Sequence, residues 1–104
     1  MLNLLNKNQT EELVNAIKGY QGQSIIICSL IKDESNSYRS QVFDNVDIDV
    51  NNIGIGIENS CEDDGNIIEF IFDKIEDTYI DIIDKEIHVV FNYMGMKYSM
   101  LNLV

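Results

Sequence analysis

Apolar residues early in the chain fall at helical spacing. Leu13, Val14 and Ile17 form one apolar stripe. Asn8 is a suitable N-cap, and Glu11 three residues later completes a capping-box pattern. Glu11 and Glu12 suit the positive end of a helix dipole, and Gly19 is a natural stop. The spacing therefore predicts a helix over about 9–19. Leu2, Leu4 and Leu5 precede it and are expected to tuck onto the same core.

From about residue 24 the period changes to that of strands and stays so to about 103. "SIIICSLIK" is apolar on both faces, which predicts a central or well-covered strand. "DESNS" reads as a loop and "YRSQVF" as a second strand, with Asp44-Asn45 bulging or breaking the chain after it. In "DIDVNNIGIGIE", residues 47–58, a two-residue turn at Asn51-Asn52 sets Val50 against Ile53, Ile48 against Ile55 and Val46 against Ile57. All six apolar side chains then share one face. The opposite face holds Asp47 and Asp49 against Gly56 and Gly54, and these four residues form a candidate interaction face, thin enough for close approach by another molecule.

"NSCEDDG" reads as a turn and "NIIEFIF" as a strand with apolar residues on both phases. Residues 74–84 allow two readings. Asp73 and Glu76 could cap a helix bearing Ile75, Tyr79, Ile82 and Ile83, but the β-branched and aromatic "TYIDII" favours a strand. Register also favours the strand. A tight turn at Asp84-Lys85 sets Ile82 against Ile87 and Ile80 against Val89. A second at Met94-Gly95 sets Tyr93 against Met96, Phe91 against Tyr98 and Val89 against Met100. One apolar face then runs through three strands without conflict. "LNLV" is expected at a sheet edge or a frayed end.

The expected fold class is α+β in one domain, residues 1–104: an N-terminal helix followed by an antiparallel β-meander, bent or curled into a small barrel. In outline this resembles SH3-like and Sm-like small barrels, although no sequence motif of those families is present.

Charge narrows the partners. The 104 residues contain 18 acidic and 7 basic side chains, a formal net charge of −11. Nucleic acids and anionic membranes need clustered Lys and Arg, and the seven here are scattered. Neither is an expected partner; a basic protein, a metal ion or, most simply, solubility suits this sign better. Cys28 and Cys61 lack metal or redox spacing; Cys28 reads as a core residue and Cys61 sits in an acidic stretch. The N-terminus has no secretory pattern and no apolar run reaches membrane length, so the expected location is a reducing cytoplasm. Abundant Ile and Asn suggest an AT-rich bacterial or phage genome.

Candidate chemistry is sparse. Asp47, Asp49, Asn51 and Glu58 match calcium-loop positions one, three, five and twelve. Asn52 stands where such loops need Gly, Gly54 replaces an apolar residue, and neither flank reads as a helix. Glu62, Asp63 and Asp64 are adjacent, which is ordinary for a solvated turn. His88, the one histidine, is expected opposite Asp81, a pair that can orient an imidazole but is also common across strands. Ser99 is expected to face Val90 rather than His88. "GIGIE" and "GYQGQ" lack the further glycine or lysine of phosphate loops. Tyr79, Phe91, Tyr93 and Tyr98 are expected mostly in the core, and no cofactor or catalytic set emerges.

The leading expectation is thus a non-enzymatic interaction or regulatory module that binds a protein. A sharper alternative is an acidic inhibitor or immunity-type protein that neutralises a basic enzyme; another is a small ligand- or calcium-binding barrel. Self-association through edge strands near "LNLV" is a further expectation.

Overall fold

A computed structural model describes residues 5–31, 38–60 and 66–103. It shows one helix and eight antiparallel strands in two sheets. The expectations for Leu2, Leu4, the 33–37 loop and the Cys61–Asp64 turn lie outside the described residues.

The helix α1 (Lys7–Lys18) starts two residues before the expected position. Asn6 is the cap: its side chain accepts from the Gln9 backbone N–H at 2.8 Å, and the Gln9 side chain accepts from the Asn6 N–H at 3.0 Å. The capping box is real, but it is built from Asn6 and Gln9 rather than Asn8 and Glu11. Glu11 and Glu12 consequently lie beyond the first turn, where the dipole acts weakly. Leu13, Ala16 and Ile17 are buried, Val14 packs at their margin, and Gly19 is the C-cap.

The strands are β1 (Ile25–Ile31), β2 (Tyr38–Phe43), β3 (Asp47–Val50), β4 (Gly54–Glu58), β5 (Ile67–Ile71), β6 (Ile75–Ile83), β7 (Glu86–Tyr93) and β8 (Met96–Asn102). The larger sheet has the order β2-β1-β8-β7-β6, the smaller β3-β4-β5. Hairpin neighbours pair as in a meander. The meander is broken between β2 and β3 and between β5 and β6, where the chain passes from one sheet to the other, and β8 returns to pair with β1. This corrects the edge expectation for "LNLV": Leu101 and Asn102 pair with Ile26 and Ile25, inside the larger sheet, whose edges are β2 and β6. Among the described residues no pairing closes either sheet into a barrel.

The strand reading of residues 75–83 holds, with a short 3-10 turn (Phe72–Lys74) leading in. The two C-terminal hairpins have the expected register at every named pair, including Ile82 with Ile87 and Phe91 with Tyr98. Met94 and Gly95 both have positive φ, 51° and 81°, as a type I′ turn requires. The sequence pattern does not disclose a bulge in β6. The register shifts between Glu76 and Tyr79, and Asp77 adopts φ 52°.

The core lies between the two sheets and the helix. Ile25, Ile27, Val89, Phe91 and Met100 line the larger sheet's inner face, and Ile55, Ile57 and Phe70 that of the smaller. Phe70 joins the sheets: its ring meets Phe91, Tyr93 and Tyr98 edge-on at 4.9–5.1 Å between centroids. Tyr20 closes the helix side. It is fully buried, and its hydroxyl donates to the Ile87 carbonyl at 2.7 Å. No described helix is long and apolar enough to cross a membrane.

Candidate functional site

The stretch 47–58 is a hairpin, but its register differs from the expected one by two residues. Val50 pairs with Ile55, Asp49 with Gly56, Ile48 with Ile57 and Asp47 with Glu58. The cause is Asn51. Its side-chain oxygen accepts from the backbone N–H groups of Ile53 and Gly54 at 2.8 and 3.0 Å. This Asx turn lengthens the connection to four residues and moves Ile53 out of the pair, to 66% exposed. A two-residue slip leaves every side chain on its original face, because strand side chains alternate with period two. The face assignment therefore survives for the paired residues, and Ile53, expected on the apolar face, is the exception. Val46, expected opposite Ile57, lies outside β3 yet is buried, held by backbone bonds to Gly22 and Gln23.

The outward face of the smaller sheet is consequently arranged in rows across its strands. Asp47, Glu58 and Ile67 make one, and Asp49, Gly56 and Glu69 the next. Of the four expected residues, Asp49 and Gly56 are directly opposed. Asp47 faces Glu58 rather than a glycine, and Gly54 faces Ile71 of β5 rather than an aspartate. Gly56 makes a gap between the carboxylate positions 49 and 69. A shallow depression of about 280 Å³ lies over it, bordered by Ile53, Ile67 and Ile71. Glu58 is in phase with Gly54 and Gly56 and so belongs to this face in either register, although it is not among the four expected residues; Glu69 joins it only through the β4–β5 pairing.

The calcium-loop spacing has a different structural meaning. Its flanks are the strands β3 and β4 rather than helices, and the Asn51 side-chain oxygen is engaged by two backbone donors. No group of three or more His, Cys, Asp or Glu side chains arranged to hold a metal occurs among the described residues.

His88 lies opposite Asp81, as expected, and Ser99 opposite Val90. Yet Ser99 Oγ reaches His88 Nε2 diagonally at 3.0 Å. Strand register names direct neighbours, and long side chains also reach the diagonal ones. No hydrogen bond among the described residues links His88 to Asp81, so the geometry shows a serine–histidine contact without a carboxylate orienting the ring.

That contact sits on the larger sheet's outer face, which sequence reasoning did not single out. Ile26, Leu30, Val90 and Leu101 point there, as does Tyr79, which is 58% exposed and so the exception to the core reading of the aromatics. None belongs to the core cluster. The available signal was the apolar run on both phases of β1. That pattern predicts coverage on both faces, whereas among the described residues only one face is covered.

Compared with protein-family models, curated proteins and solved structures, the chain matches none.

Proposed function

We propose that this protein is a non-enzymatic acidic interaction module of the reducing cytoplasm that presents the outward face of its smaller sheet to a basic protein partner. The observation that supports the reading is the row Asp49–Gly56–Glu69. A side chain at position 56 would fill the space between the two carboxylates; glycine leaves it open. A long cationic side chain of a partner fits there, its stem against Ile67 and its charge between the acids. The net charge of −11 steers such a partner and raises its association rate.

The test is a native pull-down with the wild-type protein and with an Asp49→Asn/Glu69→Gln double variant, at low and high salt. The reading expects a partner with a basic surface, retained at low salt, weakened by salt and lost from the double variant. Equal retention by both proteins at both salt levels would refute it. The identity of the partner then separates a regulatory module from an inhibitor of a basic enzyme.

A further inference from the structure

The larger sheet's outer face points away from the carboxylate face, with the core between them. On it Val42, Ile26 and Leu101 form one apolar row across three neighbouring strands, continued by His88 and Asp81. Val42 is 47% exposed and Leu101 39%. Two shallow depressions of about 390 and 620 Å³ adjoin over the middle of the face, sharing Leu30, Val90 and Lys97.

We propose that a second copy of this chain docks here, sheet on sheet, in a twofold dimer. Area is the first argument. Five strands at ~4.8 Å spacing and about six residues at ~3.3 Å rise give roughly 500 Å² per copy. Two copies would bury about 1,000 Å² or more, the lower bound for specific association.

Charge distribution is the second argument, and it also selects the orientation. The face's acids lie on the β6 and β7 side, at Glu76, Asp77, Asp81 and Glu86, its cation Lys97 lies on the central strand β8, and the outward positions of β1 and β2 carry no charge. A twofold axis along the strands sets β6 of one copy over β2 of the other, so the acids meet an uncharged margin, and the one like-charge contact is Lys97 on the central β8 beside its own copy. An axis across the strands would set acid against acid. The carboxylate faces of the smaller sheets end up outermost, with three intersheet gaps of ~10 Å between them, about 30 Å in all. That is several times the screening length of ~8 Å at physiological salt, so the copies' large negative charge does not prevent association. The dimer would carry two partner-binding faces pointing in opposite directions.

Sedimentation of the purified protein alone tests this from micromolar to near-millimolar concentration. The mass should rise from 11.9 kDa to twice that, at lower concentration in higher salt. Leu101→Asp and Tyr79→Asp should each hold the protein monomeric while circular dichroism and melting stay as in wild type. Should Leu101→Asp unfold the protein, Tyr79→Asp decides, being the more exposed position. Ser40→Lys, on the outward phase of β2, should tighten the dimer severalfold at low salt. A wild-type monomer at every concentration, or a dimer that both aspartate variants form equally well, overturns the proposal. Weakening by Ser40→Lys overturns the orientation. The proposal is independent of the basic partner, which is absent from this experiment, so either reading can fail without the other.

Discussion

The Tyr20 hydroxyl, just past the end of α1, donates to the carbonyl of Ile87 on β7 at 2.7 Å, 67 positions along the chain. The Met100 carbonyl of β8 is a second acceptor at 3.2 Å. A fully buried ring and a hydroxyl bonded to two neighbouring strands tie the helix to the sheet at its β7–β8 seam. Tyr20→Phe keeps the ring and removes the bond, at a cost of about 1–2 kcal/mol. For a domain of this size the melting temperature should drop by roughly 5–15 °C. A variant as stable as wild type would show the bond to be dispensable.

The same residue makes a pH prediction. Burial raises the Tyr20 pKa well above its ordinary value of 10.0. Tyr98 is raised too, by burial first and then by the neighbouring Tyr93. Both are neutral acids whose folded pKa exceeds the unfolded one, so the folded state binds more protons in the alkaline range. Their contribution is complete below pH ~10 and declines as pH rises through that value towards the folded pKa. Chemical denaturation between neutral pH and pH ~11 should show stability falling at the alkaline end, and less steeply in Tyr20→Phe than in wild type.

Asn102 is buried and fully used. Its oxygen accepts from the Ile87 N–H at 2.7 Å, and its amide nitrogen donates to the Gln23 side chain at 2.7 Å and the Lys85 carbonyl at 2.8 Å. Asn102→Leu orphans these groups and should cost about 2–4 kcal/mol. Asn102→Asp keeps the acceptor but turns a second oxygen onto two other oxygens. It should be similarly destabilised at neutral pH and partly restored at acidic pH, where the protonated carboxyl can donate. Comparing the variants' melting curves at two pH values separates the two effects.

How much of this was legible follows from what each interaction spans. The C-terminal hairpins were readable because turn, phase and register are local, and two turns had to agree on one apolar face. The 47–58 hairpin was half readable: phase is a property of the strand, whereas the slip came from one amide, Asn51, bonding to Ile53 and Gly54. The β1–β8 pairing joins residues more than 60 positions apart, and no local pattern marks it. The partners of Tyr20 on β7 and β8, and Gln23 opposite Asn102, are as distant, and even the nearer partners of Asn102, Lys85 and Ile87, lie one strand away, so neither residue's role is marked by a local pattern. At the candidate site, the Asp49–Gly56 opposition depended on that slip, and Glu69 entered only through the β4–β5 pairing.

Thr78 follows Asp77 in the β6 bulge, and its Oγ1 is buried with no hydrogen-bond partner among the described residues. A buried unsatisfied hydroxyl costs roughly 1–3 kcal/mol. Thr78→Val keeps the branched shape and removes the orphan, so the melting temperature should rise by a few degrees. A fall would show that the hydroxyl has a partner in solution.

Calcium should leave the protein unchanged. The spacing Asp47, Asp49, Asn51, Glu58 is set out along a β-hairpin, and the Asn51 oxygen already accepts two backbone bonds. Binding there would have to break the turn that sets the register. The expected result is one melting temperature with calcium and with chelator; a rise with calcium would reopen the metal reading.

Gly54 and Gly56 stand two residues apart on one strand, face the same way, and answer to different constraints. A Cβ on Gly54 would run into the backbone carbonyl of Phe70 on β5, which cannot move without breaking the β4–β5 pairing. A Cβ on Gly56 would meet only ordinary contacts, at 3.8 Å from the Ile67 side chain and 3.9 Å from Glu69. Gly54→Ala should therefore destabilise by several kcal/mol, since strands must part to admit it. Gly56→Ala should fold and melt within about 1 kcal/mol of wild type, and the gain in strand preference over glycine acts in its favour. The fold thus has no need of glycine at position 56. If the gap serves a partner, Gly56→Val should keep the fold and weaken the basic partner captured by the wild-type protein. Melting and capture measured on the same three variants separate a glycine the architecture requires from one that recognition requires.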